Sequence, residues 1–293
     1  MIIDIIIFAV CLVAIIIASI HDIKTREVPD WLNYGLILSG FSIRLLYSLI
    51  TSDWWFLLYG IAGFAVLFGI GLIMFYAGQW GGGDSKMIMG LGVLLGIDFM
   101  HYQTLFAESM LIGFFINMLF IGAGYGLLWS IIMAAARWKG FAKEFSRIRK
   151  TKRFMFTQRV LWIIILAVLV SLFFLPDPTF RMILITFAFM LLLLLYLWPF
   201  IKSVENICMY KMVTPDKLTE GDWIAEDINI AGELICSPKD LGIEKKQITK
   251  LIKLAQKGKI QEIKIKEGIP FVPSFLISFV ITLVWGNLLM FLI

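Results

Sequence analysis

Apolar residues along this chain run in stretches too long for the core of a soluble domain. Such segments recur at 2–20, 31–50, 56–77, 85–100, 107–136, 160–175, 179–200 and 271–293. About 20 apolar residues are needed to cross the hydrocarbon of a bilayer. The pattern therefore predicts an all-α polytopic membrane protein with about six to eight transmembrane helices. Eight segments fit, and those at 85–100 and 160–175 fit least well. Between the last two segments the pattern turns polar, which predicts a small cytoplasmic α+β insert. Within it, Ile248, Leu251, Ile252 and Leu254 repeat at helical spacing across 243–256, and Gly258 supplies a stop. Ile260, Ile263 and Ile265 then near-alternate with polar residues, as in a strand exposed on one face. Short strands and turns are expected around Gly221, Asp222, Trp223 and Ile224. The expected organisation is a transmembrane core at 1–136, a basic cytoplasmic loop at 137–159 and additional helices at 160–200. A small cytoplasmic domain at 201–268 and a C-terminal helix at 269–293 complete it.

Composition agrees with this pattern, since 60% of the 293 residues are hydrophobic and only 16% are charged. The net charge of +5 is an orientation signal, because Lys and Arg collect on cytoplasmic connections. Lys24 and Arg26 follow the first segment and Lys86 the third. Nine basic residues lie between Arg137 and Arg159, and twelve lysines between Lys202 and Lys266. The alternate connections, 51–55, 101–106 and 176–178, hold no Lys or Arg. The N-terminus is thus expected outside, in a multi-pass protein of the cytoplasmic membrane. The basic inner rim is suited to membrane lipid, and the charge calls for no nucleic-acid partner. The first segment opens Met1-Ile2-Ile3-Asp4 without a basic region or small-residue cleavage site, so it is expected to be retained.

Two carboxylates stand where a membrane protein seldom places them. Asp22 closes the first apolar segment, and Asp84 follows Gly81-Gly82-Gly83 at the start of the fourth. By the parity of the crossings, both face the cytoplasmic interface. Ionisable groups at membrane depth are costly and mark functional sites. Two neighbouring carboxylates cannot both ionise comfortably, so one keeps a proton while the other stays charged. That is an acid and a base in one site, able to activate water against a peptide carbonyl without metal or cofactor. The three glycines leave room for a substrate strand against the backbone. The same carboxylates would also serve a transporter or channel that binds protons or cations, and this alternative remains open on the residues alone.

Other chemistry is poorly supported. No His-Glu-x-x-His zinc pair occurs, and His21 and His101 are expected on opposite sides. Cys11 lies within an apolar segment, while Cys208 and Cys236 are far apart, so no disulfide framework or zinc site is signalled. Arg44 is expected to snorkel toward the outer interface. Asp4, Asp98 and Glu108 read as wet residues of the outer surface. Gly90, Gly92 and Gly96, and likewise Gly122, Gly124 and Gly126, are expected to mark helix-packing faces.

The stretch Asp22-Ile23-Lys24-Thr25-Arg26-Glu27-Val28-Pro29-Asp30-Trp31-Leu32-Asn33 resembles the first signature of the type IV prepilin peptidases. Gly81-Gly82-Gly83-Asp84-Ser85-Lys86 resembles their second, Gly-x-Gly-Asp-x-Lys. The resemblance covers roughly the first 130 residues. It implies that Asp22 and Asp84 are the catalytic pair of a membrane aspartyl endopeptidase, with Gly81, Gly82, Gly83, Lys86, Pro29 and Asn33 as motif residues. It implies removal of a short basic leader from prepilin-like or preflagellin precursors. Glu27 and Asp30 either are solvated loop charges or draw leader lysines. The paired Cys-x-x-Cys motifs and methylating region of bacterial members are missing, so the chain looks more like the archaeal branch, which cleaves without N-methylation. Gly268-Ile269-Pro270-Phe271-Val272-Pro273 is similar to a segment of archaeal members with a C-terminal soluble unit.

Overall fold

The computed structural model describes residues 2–101, 105–230 and 233–291. The middle of the expected 101–106 connection and the last two residues of the 271–293 segment lie outside these. The protein is an all-α polytopic membrane protein with a small sheet region. Among the described residues, six helices are long and apolar enough to cross a membrane. They are α1 (Ile2–Thr25), α2 (Asp30–Thr51), α3 (Trp54–Tyr76), α6 (Met110–Ala136), α8 (Lys152–Ser171) and α9 (Pro178–Val204). A single helical turn, α5 (Leu105–Glu108), precedes α6.

Two of the eight expected crossings are shorter than predicted. The fourth segment folds as α4 (Gly82–Leu95) and the last as α11 (Val272–Trp285), each of 14 residues. At 1.5 Å per residue each is about 21 Å long, against about 30 Å of hydrocarbon. A glycine in the left-handed region ends each helix, Gly96 at φ +64° and Gly286 at φ +70°. Their amides donate back to Gly92 O and Thr282 O, both at 2.9 Å. Side chains with a Cβ rarely adopt that conformation, so an apolar run interrupted by such a glycine stops being helix there.

The chain divides into two compact units. The first contains residues 1–127 and 212–293. In it α4 packs most extensively on α3 and then on α2, while α1 packs on α11. The core is apolar and continuous, drawn from Ile7, Cys11, Ile15 and Ala18 of α1, Met87, Ile88 and Leu91 of α4, and Phe275 and Phe279 of α11. Glycine permits the closest crossings. A Cβ on Gly92 would collide with Gly63 O of α3, and one on Gly90 would sit 2.8 Å from a Leu36 methyl of α2. Gly122 makes room for the Phe271 ring, whereas Gly124 and Gly126 face open space and are not packing positions. Gly124, two positions from Gly122, points away from that contact, whereas Gly126 shares the face of Gly122 one turn further along and meets nothing within 4 Å.

The insert has its own core of Leu218, Ile224, Ile235, Ile243, Leu251, Ile263 and Ile265. Its strands are β1 (Tyr210–Val213), β2 (Trp223–Ile224), β3 (Ile228–Ile230), β4 (Glu233–Cys236) and β5 (Ile263–Lys266). They form one sheet in the order β1-β5-β2 and a separate antiparallel pair, β3-β4. The division between the two units falls within β1. The helix α10 (Lys245–Gln256) starts at a box in which the Gln247 side chain accepts the Glu244 amide at 2.8 Å. Ile263 and Ile265 face inward, as their alternation predicts. Trp223 lies against Gly78, on the connection that leads into α4.

The second unit contains residues 128–211. Residues expected within a basic loop form the helix α7 (Trp138–Arg149) instead. Its inward positions, Phe141, Glu144 and Ile148, recur at a spacing of three and four and so share one face. Glu144 accepts two bonds from Arg147 at 2.7 and 2.6 Å and one from Asn206 at 2.7 Å. Those bonds from Arg147 hold the carboxyl below the usual carboxylate range, against the opposing effect of burial. Apolar side chains of α8 and α9 are widely exposed, as expected of surfaces that face lipid.

Candidate active site

Asp22 belongs to the buried stripe of α1. Ile7, Cys11, Ile15, Ala18 and Asp22 follow one another at spacings of three or four, so the helix that buries the apolar four also turns the carboxylate inward. Only 5% of Asp22 is exposed. Four residues on, Arg26 takes a left-handed φ of 61° and returns its amide to Asp22 O at 3.0 Å, which ends α1 about one turn after the aspartate. The Asp22 Oδ2 atom accepts the backbone N–H of Val272 at 2.9 Å, from the first turn of α11.

Asp84 occupies the first turn of α4. Its Oδ2 accepts the amide of the N-cap residue Gly81 at 3.2 Å, the return half of a capping box. An acidic group in a first turn satisfies an otherwise unpaired amide and complements the positive end of the helix. The Asp22 and Asp84 carboxylates lie close enough for their charges to interact, and Tyr125 and Arg26 are within the same range of Asp22.

The two sequence signatures meet in space, and their contacts explain the residue types. Asn33, fully buried in the first turn of α2, donates to Gly83 O at 3.3 Å. Asp30 pairs with Lys86 at 2.6 Å, and the Lys86 ammonium lies 5.1 Å from the centre of the Tyr34 ring. Val28 presses on Gly83, where a Cβ would stand 3.0 Å from the Val28 Cβ. Pro29 caps α2, and its carbonyl accepts the amides of Leu32 and Asn33 at 3.1 and 3.3 Å. A Cβ on Gly81 would meet only Asp84 Oδ2 at 3.5 Å, and one on Gly82 only Phe75 at 3.7 Å. Thus Val28, Asp30 and Asn33 cradle Gly83 and Lys86, while Glu27 remains exposed on the connection.

Sequence reasoning missed two features. One is the first turn of α11, which reaches Asp22 from 250 residues away. The other is the aromatic bridge that anchors it: Trp80, next to the three glycines, lies 6.3 Å from the Phe271 ring and 6.0 Å from the Phe275 ring. Pro270 and Pro273 signalled a helix start but not its neighbour. Among the described residues, no cluster of three or more His, Cys, Asp or Glu could hold a metal ion.

Residues 8–136 match the model of the type IV leader peptidase family, a range that contains both aspartates. A preflagellin peptidase of Methanocaldococcus jannaschii is 40% identical over 88 residues, which cover 30% of this chain and 37% of that protein. The preflagellin peptidase of Methanococcus voltae is 36% identical over 88 residues, with the same shares. The prepilin peptidase EppA of Methanothermobacter thermautotrophicus is 30% identical over 95 residues, 32% of this chain and 25% of that protein. The chain therefore spans little more than a third of the length of the curated relatives it matches. Over its first 136 residues, where both signatures and both aspartates lie, the chain resembles the type IV leader peptidases, archaeal preflagellin and prepilin peptidases among them.

Proposed function

We propose that the protein is a membrane-embedded aspartyl endopeptidase. It removes a short basic leader from prepilin-like or preflagellin precursors at the cytoplasmic face, without N-methylation. The observation that carries this reading is the convergence of Asp22 and Asp84, from separate helices, at the junction of the two signature segments. In this mechanism one carboxylate takes a proton from water as it attacks the scissile carbonyl, and the other donates a proton to the carbonyl oxygen. As the tetrahedral diol collapses, the newly protonated carboxyl gives its proton to the leaving amine and the other carboxylate recovers one from a diol hydroxyl, which returns the pair to its starting state.

The substrate would arrive laterally. A lipid-facing groove of about 410 Å³ runs between α1 and α2, lined by Ala9, Val13, Ile17, Trp31, Gly35 and Ser39 among others. Its Ile17 and Trp31 end lies nearest to Asp22 and Asp30 along the two helices. An apolar precursor helix seated there would leave its basic leader in the aqueous layer and bring the bond between them toward the aspartates. The preflagellin and prepilin activities named for the similar proteins support the substrate class.

Incubating the purified chain with a panel of leader-bearing precursors, followed by mass determination, tests the reading. A product shortened by its leader and carrying an unmethylated new N-terminus is expected. Intact precursor throughout, together with ion flux in liposomes, would replace the peptidase by a transporter.

A further inference from the structure

Arg44 does not reach the outer interface. It is buried, with 3% exposed, and its guanidinium donates to three backbone carbonyls, those of Val93, Phe56 and Leu94, the last at 2.7 Å. It also lies 4.4 Å from the centre of the Phe56 ring. Snorkelling was expected because a cation near the end of an apolar run normally finds water. Here it finds the end of a helix. Val93 and Leu94 belong to the last turn of α4, whose terminal carbonyls have no partners within the helix. A cation at that end satisfies them and complements the negative pole of the helix.

The surroundings are shaped for this side chain. A Cβ on Gly60 would collide with the Arg44 Cδ, and one on Gly96 with its Nη2. Both glycines thus keep open a channel that the arginine fills. The same helix α2 also grips the opposite end of α4, through Asn33 on Gly83 O and Asp30 on Lys86. A 14-residue rod that cannot reach both membrane surfaces is held lengthwise by one neighbour.

We propose that Arg44 is a positioning residue for Asp84, acting through α4; the inference rests on the peptidase reading of the site. With the distal clamp in place, the axial position of α4, and hence the depth of Asp84 relative to Asp22, is fixed. Without it, the last carbonyls of α4 are left unpaired in hydrocarbon, and the helix shifts or frays to recover partners. A misplacement of about 1 Å at reacting groups costs on the order of 10²-fold in rate.

The test compares kcat and KM per mole of folded, detergent-purified protein. Arg44→Met is expected to lower kcat at least tenfold with KM within twofold, because the precursor still docks. Arg44→Lys, which restores a cation and part of the bonding, should recover most of the lost kcat. Gly60→Ala, which displaces the arginine while keeping its charge, should lower kcat in the same manner. A kcat within twofold of the unmodified protein in both Arg44→Met and Gly60→Ala overturns the proposal, as does a loss carried wholly by KM. Should Arg44→Met not fold, Gly60→Ala and Arg44→Lys decide. A second measurement needs no cleavage: in an Asp22→Cys, Asp84→Cys pair, the shortest thiol crosslinker that joins the two should change when Arg44→Met or Gly60→Ala is added. An unchanged length overturns the positioning role. Absence of cleavage by the unmodified protein would sink the peptidase reading alone.

Discussion

At the scale of single residues, the glycines before Asp84 are not equivalent. A Cβ added at Gly83 would stand 3.0 to 3.2 Å from the Val28 side chain and backbone, whereas one at Gly81 would meet only a flexible carboxylate in ordinary contact, at an unstrained φ of −67°. Gly83→Ala should therefore destabilise the core by about 1–3 kcal/mol, the usual cost of forcing a methyl into a packed contact. Gly81→Ala should stay within about 0.5 kcal/mol. Denaturant unfolding of the two variants in detergent checks this, and equal losses would contradict it. Both aspartates were legible in the sequence, because carboxylates at the ends of apolar runs are conspicuous and Asp22 continues the spacing of its buried stripe. Arg44 was not, since its acceptors Val93 and Leu94 lie 49 and 50 positions along the chain and no local pattern announces them.

At the scale of elements, the two short helices share one construction. Each starts at an aspartate: α4 carries Asp84, and α11 offers the Val272 amide to Asp22. Each stops at a left-handed glycine, and each has its last turn met by a buried polar side chain from another helix. Arg44 does this for α4. For α11 it is Asn117, which donates to Thr282 Oγ1 at 2.9 Å and Gly286 O at 2.8 Å and accepts the Leu288 amide at 3.0 Å. Asn117→Leu keeps the branched outline of the side chain but abandons those groups, and should cost about 1–3 kcal/mol of stability. Thermal unfolding of the purified variant reads this directly, and an unshifted transition would mean that the network is dispensable. The lengths of these helices escaped the sequence reading because the apolar runs continue past Gly96 and Gly286. Hydropathy registers such a run, but not the backbone angle that ends it. Similarly, α7 was hidden among basic residues whose number outweighed the three- and four-residue spacing of Phe141, Glu144 and Ile148.

At the scale of the whole molecule, the resemblance to leader peptidases ends near residue 136, while the second unit and the insert extend beyond it. The second unit carries its own pH signature. Glu144 has its carboxyl held low by Arg147, so its ionised form stabilises the fold above the ordinary glutamate pKa, and that stability is lost as pH falls through the depressed value. Acidification should therefore loosen α7 from its contact with Asn206, with faster amide exchange across 138–149. Glu144→Gln should show that faster exchange already at neutral pH and lose much of its pH dependence. A variant whose exchange still accelerates on acidification as the unmodified chain does would assign the effect elsewhere.

The central claim is that Asp22 and Asp84 work as one unit, and cleavage rates of Asp22→Asn, Asp84→Asn and the double variant test it most directly. Asn keeps the shape of each side chain but cannot exchange the proton. Because residues acting as a unit are strongly non-additive, each single variant should lose at least about 10³-fold in cleavage and the double variant little more, with expression and membrane insertion unchanged. Full activity in either single variant, or losses that multiply in the double variant, would contradict the account.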